Sequence, residues 1–284
     1  MPGVASRAER SISFGTIAAE YDRLRSGPPE AAIDWLLPAA AKVAVDLGAG
    51  TGLLSRALAR RVPRVFAVEP DERMAAVLRA RDPAIAVRQG RGEAIPLPDA
   101  SADGVFISSA WHWMDPERAV PEIARVLRDG GRFGVIWTSR DREVDWIREL
   151  HRLREPGQPH EPGQPAELGQ PHEPGRPAES GRPGDQDRAR GPHREVTLPD
   201  GSPFRTADTA SFAFRRTMTI SDIVGMLGTY SGLITASPEE RAATLDRVRA
   251  ALEEWFPGAD EIDVPMRSVC WRTDRTARTA PGTP

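Results

Sequence analysis

The sequence predicts an α/β fold, a doubly wound and largely parallel sheet with helices on both faces. Three observations carry it. Short apolar runs alternate with stretches of helical periodicity through the first half of the chain, the pattern of βαβ units. The run Val43-Ala44-Val45-Asp46-Leu47 breaks into glycines on alternate positions, Gly48, Gly50 and Gly52, and a helix-forming stretch follows at once. The next apolar run ends in an acidic residue, Glu69. Strand, glycine turn and helix open a crevice at the carboxyl end of a sheet, where ligands of such folds bind.

Taken in order, residues 1–11 are small and charged, and read as loose. Phe14 to Arg25 places aromatics at near-helical spacing beside a basic residue; Pro28-Pro29 ends that segment, and Glu30 to Leu37 reads as a helix. After the first strand, Leu53 to Arg60 has the composition of an amphipathic helix. Each glycine of the intervening turn admits a tight backbone and leaves room where a Cβ would meet a ligand. The spacing departs from the GxGxxG of a dinucleotide site. A carboxylate at the strand tip, Asp46, repels a pyrophosphate and suits a cation. Val65 to Val68 is the second strand, and Glu69 at its tip can accept hydrogen bonds from ribose hydroxyls. Pro70-Asp71 starts a helix with Met74, Val77 and Leu78 inward; Met74 fits core packing better than adenine contact. Ile85 to Val87 and Asp103 to Ile107 are the third and fourth strands. Pro116 opens a helix as a favourable first-turn residue, Asp129-Gly130-Gly131 is a tight turn, and Arg132 to Trp137 is the fifth strand. Asp141 to Leu153 is a further helix.

The string D-L-G-x-G-x-G at Asp46 to Gly52 resembles motif I of class I S-adenosylmethionine (SAM)-dependent methyltransferases, and the likeness extends to small-molecule members of the methyltransferase type 11 group. Gly90 to Asp99 resembles that family's G-x-A-E-x-L-P-x-x-D segment, with Arg91 where an aspartate is common and Gly92 where alanine or aspartate is usual. Ala124 to Arg132, A-R-V-L-R-D-G-G-R, resembles its R-V-L-x-P-G-G motif. The resemblance covers residues 12–153 closely and 204–272 more loosely. It implies a Rossmann-like, seven-stranded sheet with an antiparallel last strand, an N-terminal lid helix and a helical cap. It implies SAM as cofactor, with Asp46, Gly48, Gly50, Gly52, Glu69, Glu93, Ala94 and Ser108 as cofactor-binding residues. The loop after strand four, Ser108 to Asp115, then holds the acceptor side. There His112 is a candidate base, since imidazole titrates near neutral pH, or a buttress of the sheet edge. Trp111 and Trp113, with the more distant Tyr230, are candidates for the substrate pocket.

From Glu155 the chain repeats every six residues (EPGQPH, EPGQPA, ELGQPH, EPGRPA, ESGRPG). Its prolines forbid helix and ladder, and almost nothing in it is apolar. This predicts a disordered insertion over 154–193 between a cofactor-binding core, 1–153, and a C-terminal cap with closing strands, 194–273; 274–284 read as tail. Phe212 to Thr217 reads as a strand, Ser221 or Asp222 as the cap of a helix through Ser231, Pro238-Glu239-Glu240 as the start of a longer helix, and Ile262 to Trp271 as the closing strand.

Composition bounds the partners. The chain has 284 residues, a net charge of −3 and a pI near 6.0, which argues against bulk attraction to nucleic acid or membrane. The single cysteine, Cys270, excludes an intramolecular disulfide and a thiolate metal cluster, and no metal site is expected. No apolar run spans a bilayer and no signal peptide is evident, so a cytoplasmic protein is expected. The expected activity is methyl transfer from SAM to a small molecule, a carboxylate or hydroxyl. A non-catalytic SAM-binding protein using the Pro/Gly segment as a tether, and an NAD-dependent oxidoreductase, are the rivals. Neither the acceptor nor the oligomeric state follows from the sequence.

Overall fold

A computed structural model describes residues 13–154 and 196–277. The hexapeptide stretch beyond Arg154, the first twelve residues and the end of the tail lie outside the described residues. The described strands are β1 (Val43–Leu47), β2 (Arg64–Glu69), β3 (Ala86–Gln89), β4 (Ala102–Ser108), β5 (Leu127–Arg140), β6 (Asp208–Met218) and β7 (Ile262–Asp274). They form one seven-stranded sheet in the order β3-β2-β1-β4-β5-β7-β6. β1 runs parallel to β2 and β4, β2 to β3, and β4 to β5, and the last strands are antiparallel. The chain winds outward from β1 to β3 and then crosses to β4 on the other side of β1. The order therefore reverses at the carboxyl end of β1, where the glycine turn sits.

The helices are α1 (Ala18–Leu24), α2 (Glu30–Leu36), α3 (Leu53–Ala59), α4 (Glu72–Arg81), α5 (Pro116–Val126), α6 (Asp145–Leu153), α7 (Ile220–Gly228), α8 (Ser231–Ile234) and α9 (Pro238–Trp255). Among the described residues no helix is long and apolar enough to cross a membrane. The chain divides into two compact units. One contains the described residues 26–138, 196–212 and 268–277; the other contains 13–25, 139–154 and 213–267.

In the first unit the period-two alternation of the strands sorts side chains to two faces. Val45, Leu47, Val68, Val105, Ile107, Phe133 and Val135 pack with Ala119, Val120 and Ile123 of α5. Ala44, Val65, Ala67, Phe106 and Ile136 pack on the opposite face with Ile33 and Leu36 of α2 and Leu54 and Leu58 of α3. Two covered faces explain why the parallel strands read as unbroken apolar runs. In the second unit Leu24, Trp146, Leu150, Ile223, Leu227, Val248 and Leu252 make a separate helical core, closed on one side by Val264 and Met266 of β7.

Three of the boundaries that differ from expectation have a visible cause. β5 starts at Leu127, because Gly130 N–H donates to the Arg275 carbonyl and the Gly131 carbonyl accepts from Arg275 N–H, so the Gly-Gly pair stays in the sheet although Gly130 has φ +73°. α6 starts at Asp145: Asp141 N–H is bound to the Pro265 carbonyl and its carboxylate to Arg267, which holds residues 141–144 out of the helix. α7 is capped by Thr219, whose hydroxyl accepts from Asp222 N–H, and it ends at Gly228, leaving Tyr230 as the N-cap of α8.

Candidate cofactor site

The glycine turn is tied to the neighbouring strand: Gly48 and Ala49 N–H both donate to the Val68 carbonyl, at 2.8 and 3.1 Å. Its three glycines all have positive φ, yet they answer to different constraints. At Gly52 (φ +88°) a Cβ would stand 2.2 Å from Leu78 Cδ1, and at Gly48 2.8 Å from the Ala110 methyl. Those two glycines therefore serve close packing of protein on protein as well. Gly50 (φ +57°) is the open one, its nearest neighbour being Met74 Cε at 3.4 Å. Met74 itself is buried, in keeping with a packing role.

Two acids flank this turn. Asp46, near the end of β1, is fully buried; its Oδ2 accepts from Ser55 Oγ of α3 at 2.6 Å. Among the described residues its Oδ1 has no hydrogen-bond partner, and neither has the buried Thr51 hydroxyl in the turn. Burial pushes the Asp46 carboxyl up to about 7, against the Ser55 hydrogen bonds, with the Glu69 charge adding to the rise. Glu69, the last residue of β2, accepts from Gly50 N–H at 2.7 Å with Oε2 and from Asp71 N–H at 2.8 Å with Oε1. Burial raises its pKa as well, and those two backbone bonds work the other way. Each carboxylate oxygen of Glu69 keeps a second lone pair for a ligand hydroxyl. Two buried acids on adjacent strands form a site short of positive charge. A cationic ligand would favour the ionised form of each.

The segment after β3 is held from α5. Glu122 accepts from Ile95 N–H, and Arg125 donates to the Ile95 and Leu97 carbonyls and to Asp99. Glu93 Oε1 accepts from Asp115 N–H at 2.9 Å, so this side chain fixes the loop after β4, and the Ala94 N–H is turned to the Arg91 carbonyl. Gly92 has a local reason: a Cβ there would stand 2.7 Å from Met114 Sδ. Ser108 closes β4 half-buried, and Ser109 after it has φ +54°, a left-handed conformation that a non-glycine residue adopts at a cost of about 1–2 kcal/mol. That kink turns the chain into the 3₁₀ turn Trp111–Trp113. Trp111 is only 3% exposed and packs on Phe133, with ring centroids 5.5 Å apart. It packs in the core of the first unit. His112 and Trp113 are half-buried, with ring centroids 4.4 Å apart.

Tyr230 belongs to the other unit, in a setting the sequence did not disclose. The guanidinium carbons of Arg25, Arg154 and Arg140 lie 4.0, 4.7 and 5.6 Å from its ring centroid. Burial raises the phenol's pKa, but the charges of Arg140, Arg25 and Arg154 more than offset it and bring the group to about 7. Sequence reasoning placed Arg25 in the lid segment without a partner, and it passed over Ser55, Arg140 and Arg154. A polar residue in the first turn of the helix after a glycine turn was the one local signal available for Ser55.

A doubly wound sheet with a D-L-G-x-G-x-G turn at its switch point and an acid at the tip of β2 defines a nucleoside-cofactor enzyme of the methyltransferase type. Residues 45–135 match the family described as a methyltransferase domain. Methyltransferases of Mycobacterium tuberculosis and Mycobacterium bovis whose activity is uncharacterized are each 39% identical over 270 residues, covering 94% of this chain and 97% of theirs. The chain belongs to the class I SAM-dependent methyltransferases. A malonyl-[acyl-carrier protein] O-methyltransferase of Methylococcus capsulatus is 37% identical over 134 residues, 43% of this chain and 48% of its own. Among solved structures, one assigned as a type II methyltransferase from Anaeromyxobacter dehalogenans superposes with a TM-score of 0.62 at 25% identity, covering 90% of this chain and 99% of that one.

Proposed function

We propose that this SAM-dependent methyltransferase acts on a small-molecule acceptor, at a carboxylate or hydroxyl oxygen, with its cofactor seated on the glycine turn between Asp46 and Glu69. The observation that carries the cofactor assignment is the pair of buried acids around that turn, one with an oxygen lacking any partner among the described residues. Bound SAM supplies an electrophilic methyl group on a sulfonium. Asp46 faces the cationic methionine end, Glu69 accepts from the ribose hydroxyls, and the open face of Gly50 lets the backbone approach. Glu93, Ala94 and Ser108 border the base, Glu93 chiefly by holding the loop that carries Asp115.

On the acceptor side, His112 takes a proton from an acceptor hydroxyl or carboxylic acid as the oxygen attacks, while Trp113 excludes water. An oxygen acceptor is in keeping with the name of the Methylococcus relative, an O-methyltransferase. A screen of carboxylic acids and alcohols with SAM, scored by S-adenosylhomocysteine release, tests this reading. Turnover on at least one small acid or alcohol is expected, and turnover confined to a protein or nucleic-acid substrate would overturn the small-molecule assignment.

A further inference from the structure

The cluster around Tyr230 is built from four separate chain segments: Arg25 is the C-cap of α1, Arg140 the last residue of β5, Arg154 the C-cap of α6, and Tyr230 the N-cap of α8. Arg25 is pinned by donating to the Thr229 hydroxyl and carbonyl, at 2.8 and 3.1 Å. Arg140 is only 5% exposed, and among the described residues its Nη1 has no hydrogen-bond partner. The charged groups that act on Arg140 are the Tyr230 phenol, Arg154 and Arg25, and burial and those two cations make its own charge costly. His151 accepts from Arg154 at 2.9 Å and from Arg142. The neighbouring acids are committed elsewhere: Asp141 and Glu143 both bind Arg267.

Arg25 and Arg140 differ from several other arginines of the described residues, which sit on carboxylates: Arg61 on Asp34, Arg73 on Asp71, Arg125 on Glu122 and Asp99, and Arg132 on Asp274. A buried guanidinium with an unused donor, crowded by like charges, destabilises a fold unless an anion joins it. Guanidinium forks match the geometry of an oxyanion, and a phenol beside them adds a further donor.

We propose that Arg140, Arg25 and Arg154, arranged around Tyr230, form a binding site for the carboxylate of a small molecule. Binding of a carboxylate by the cluster does not depend on the function proposed above. Phosphate shares the oxyanion chemistry, so the test has to separate the two.

The chain has only two tyrosines, so a Tyr21→Phe variant makes Tyr230 the sole phenol, read by near-ultraviolet tyrosinate absorbance. An oxyanion among the guanidiniums competes with the phenolate for the same positive charge. Saturating glutarate should therefore move the tyrosinate midpoint of the full-length variant to higher pH, and the neutral diamide of glutarate should not. Glutarate affinity measured by calorimetry should fall about tenfold or more in Arg140→Met and in the half-exposed Arg25→Met, which serves if the first variant folds poorly. Without anion, Arg140→Met should hold or raise the thermal midpoint. A shift with inorganic phosphate but not with glutarate would overturn the carboxylate assignment. No shift with either, or a lowered thermal midpoint with unchanged glutarate affinity, would overturn the site. Binding of S-adenosylhomocysteine in the same samples keeps the readings apart: retained there with no anion effect, only this inference fails.

Discussion

Asp46→Asn is the perturbation in which stability and cofactor binding should part company. The carboxyl is fully buried and its pKa is raised by that burial from 3.8 to about 7. The folded-state value lies above the unfolded one, so the folded protein binds the extra proton in between. The group's contribution is fully favourable below the unfolded value and is lost as pH rises through about 7. Roughly three pH units at about 1.4 kcal/mol each make this an effect of at most about 4 kcal/mol under alkaline conditions. Asparagine removes the charge and keeps an oxygen for the Ser55 hydroxyl. Guanidinium unfolding at about pH 8.5 should therefore find Asp46→Asn about 2–4 kcal/mol more stable than the wild type, the gain shrinking toward about pH 5. Binding of S-adenosylhomocysteine should weaken in the same variant, and binding to wild type near pH 7 should release roughly half a proton as its ammonium draws Asp46 to the ionised form. A stability difference that does not vary with pH would refute the reasoning, because the carboxylate would then carry no burial penalty.

Three further outcomes follow from the site geometry. Gly52→Ala should destabilise by about 3 kcal/mol in denaturant titrations, combining a left-handed backbone at φ +88° with a methyl 2.2 Å from Leu78 Cδ1; a loss under about 1 kcal/mol would contradict that geometry. Gly50→Ala should lose only about 1–2 kcal/mol of stability, since its Cβ meets nothing closer than 3.4 Å, but it should impair cofactor binding more than Gly52→Ala does in whatever folded fraction remains. His112→Ala should lower turnover while leaving S-adenosylhomocysteine affinity nearly unchanged; unaltered turnover, measured on the acceptor found by screening, would remove its role as base.

The sheet was legible in the sequence because its strands are buried on two faces and its glycine turn is a contiguous string. Asp46 and Glu69 can be singled out as candidates for the same reason: each lies at the end of an apolar run, a position that needs no knowledge of distant contacts. What escaped depends on contacts between remote segments. Arg25 and Thr229, separated by 204 positions, meet only once the chain is folded, and the same holds for Arg140, Arg154 and Tyr230. Trp111 and Trp113 differ by two positions in the chain, yet a 3₁₀ turn sends the first into the core and leaves the second half-buried. One departure from the family pattern also has a tertiary cause. Gly92 stands where a side chain would strike Met114, a residue more than twenty positions away.

Calorimetric titration of S-adenosylhomocysteine into the wild type and Glu69→Ala, run side by side, tests the cofactor site most directly. Micromolar binding to the wild type and at least a tenfold loss in the variant are expected, since ribose contacts and the Gly50 N–H anchor go together. Equal affinity in both proteins, or no binding to a folded wild type, would contradict the assignment of the glycine turn between Asp46 and Glu69 as the seat of the methyl donor.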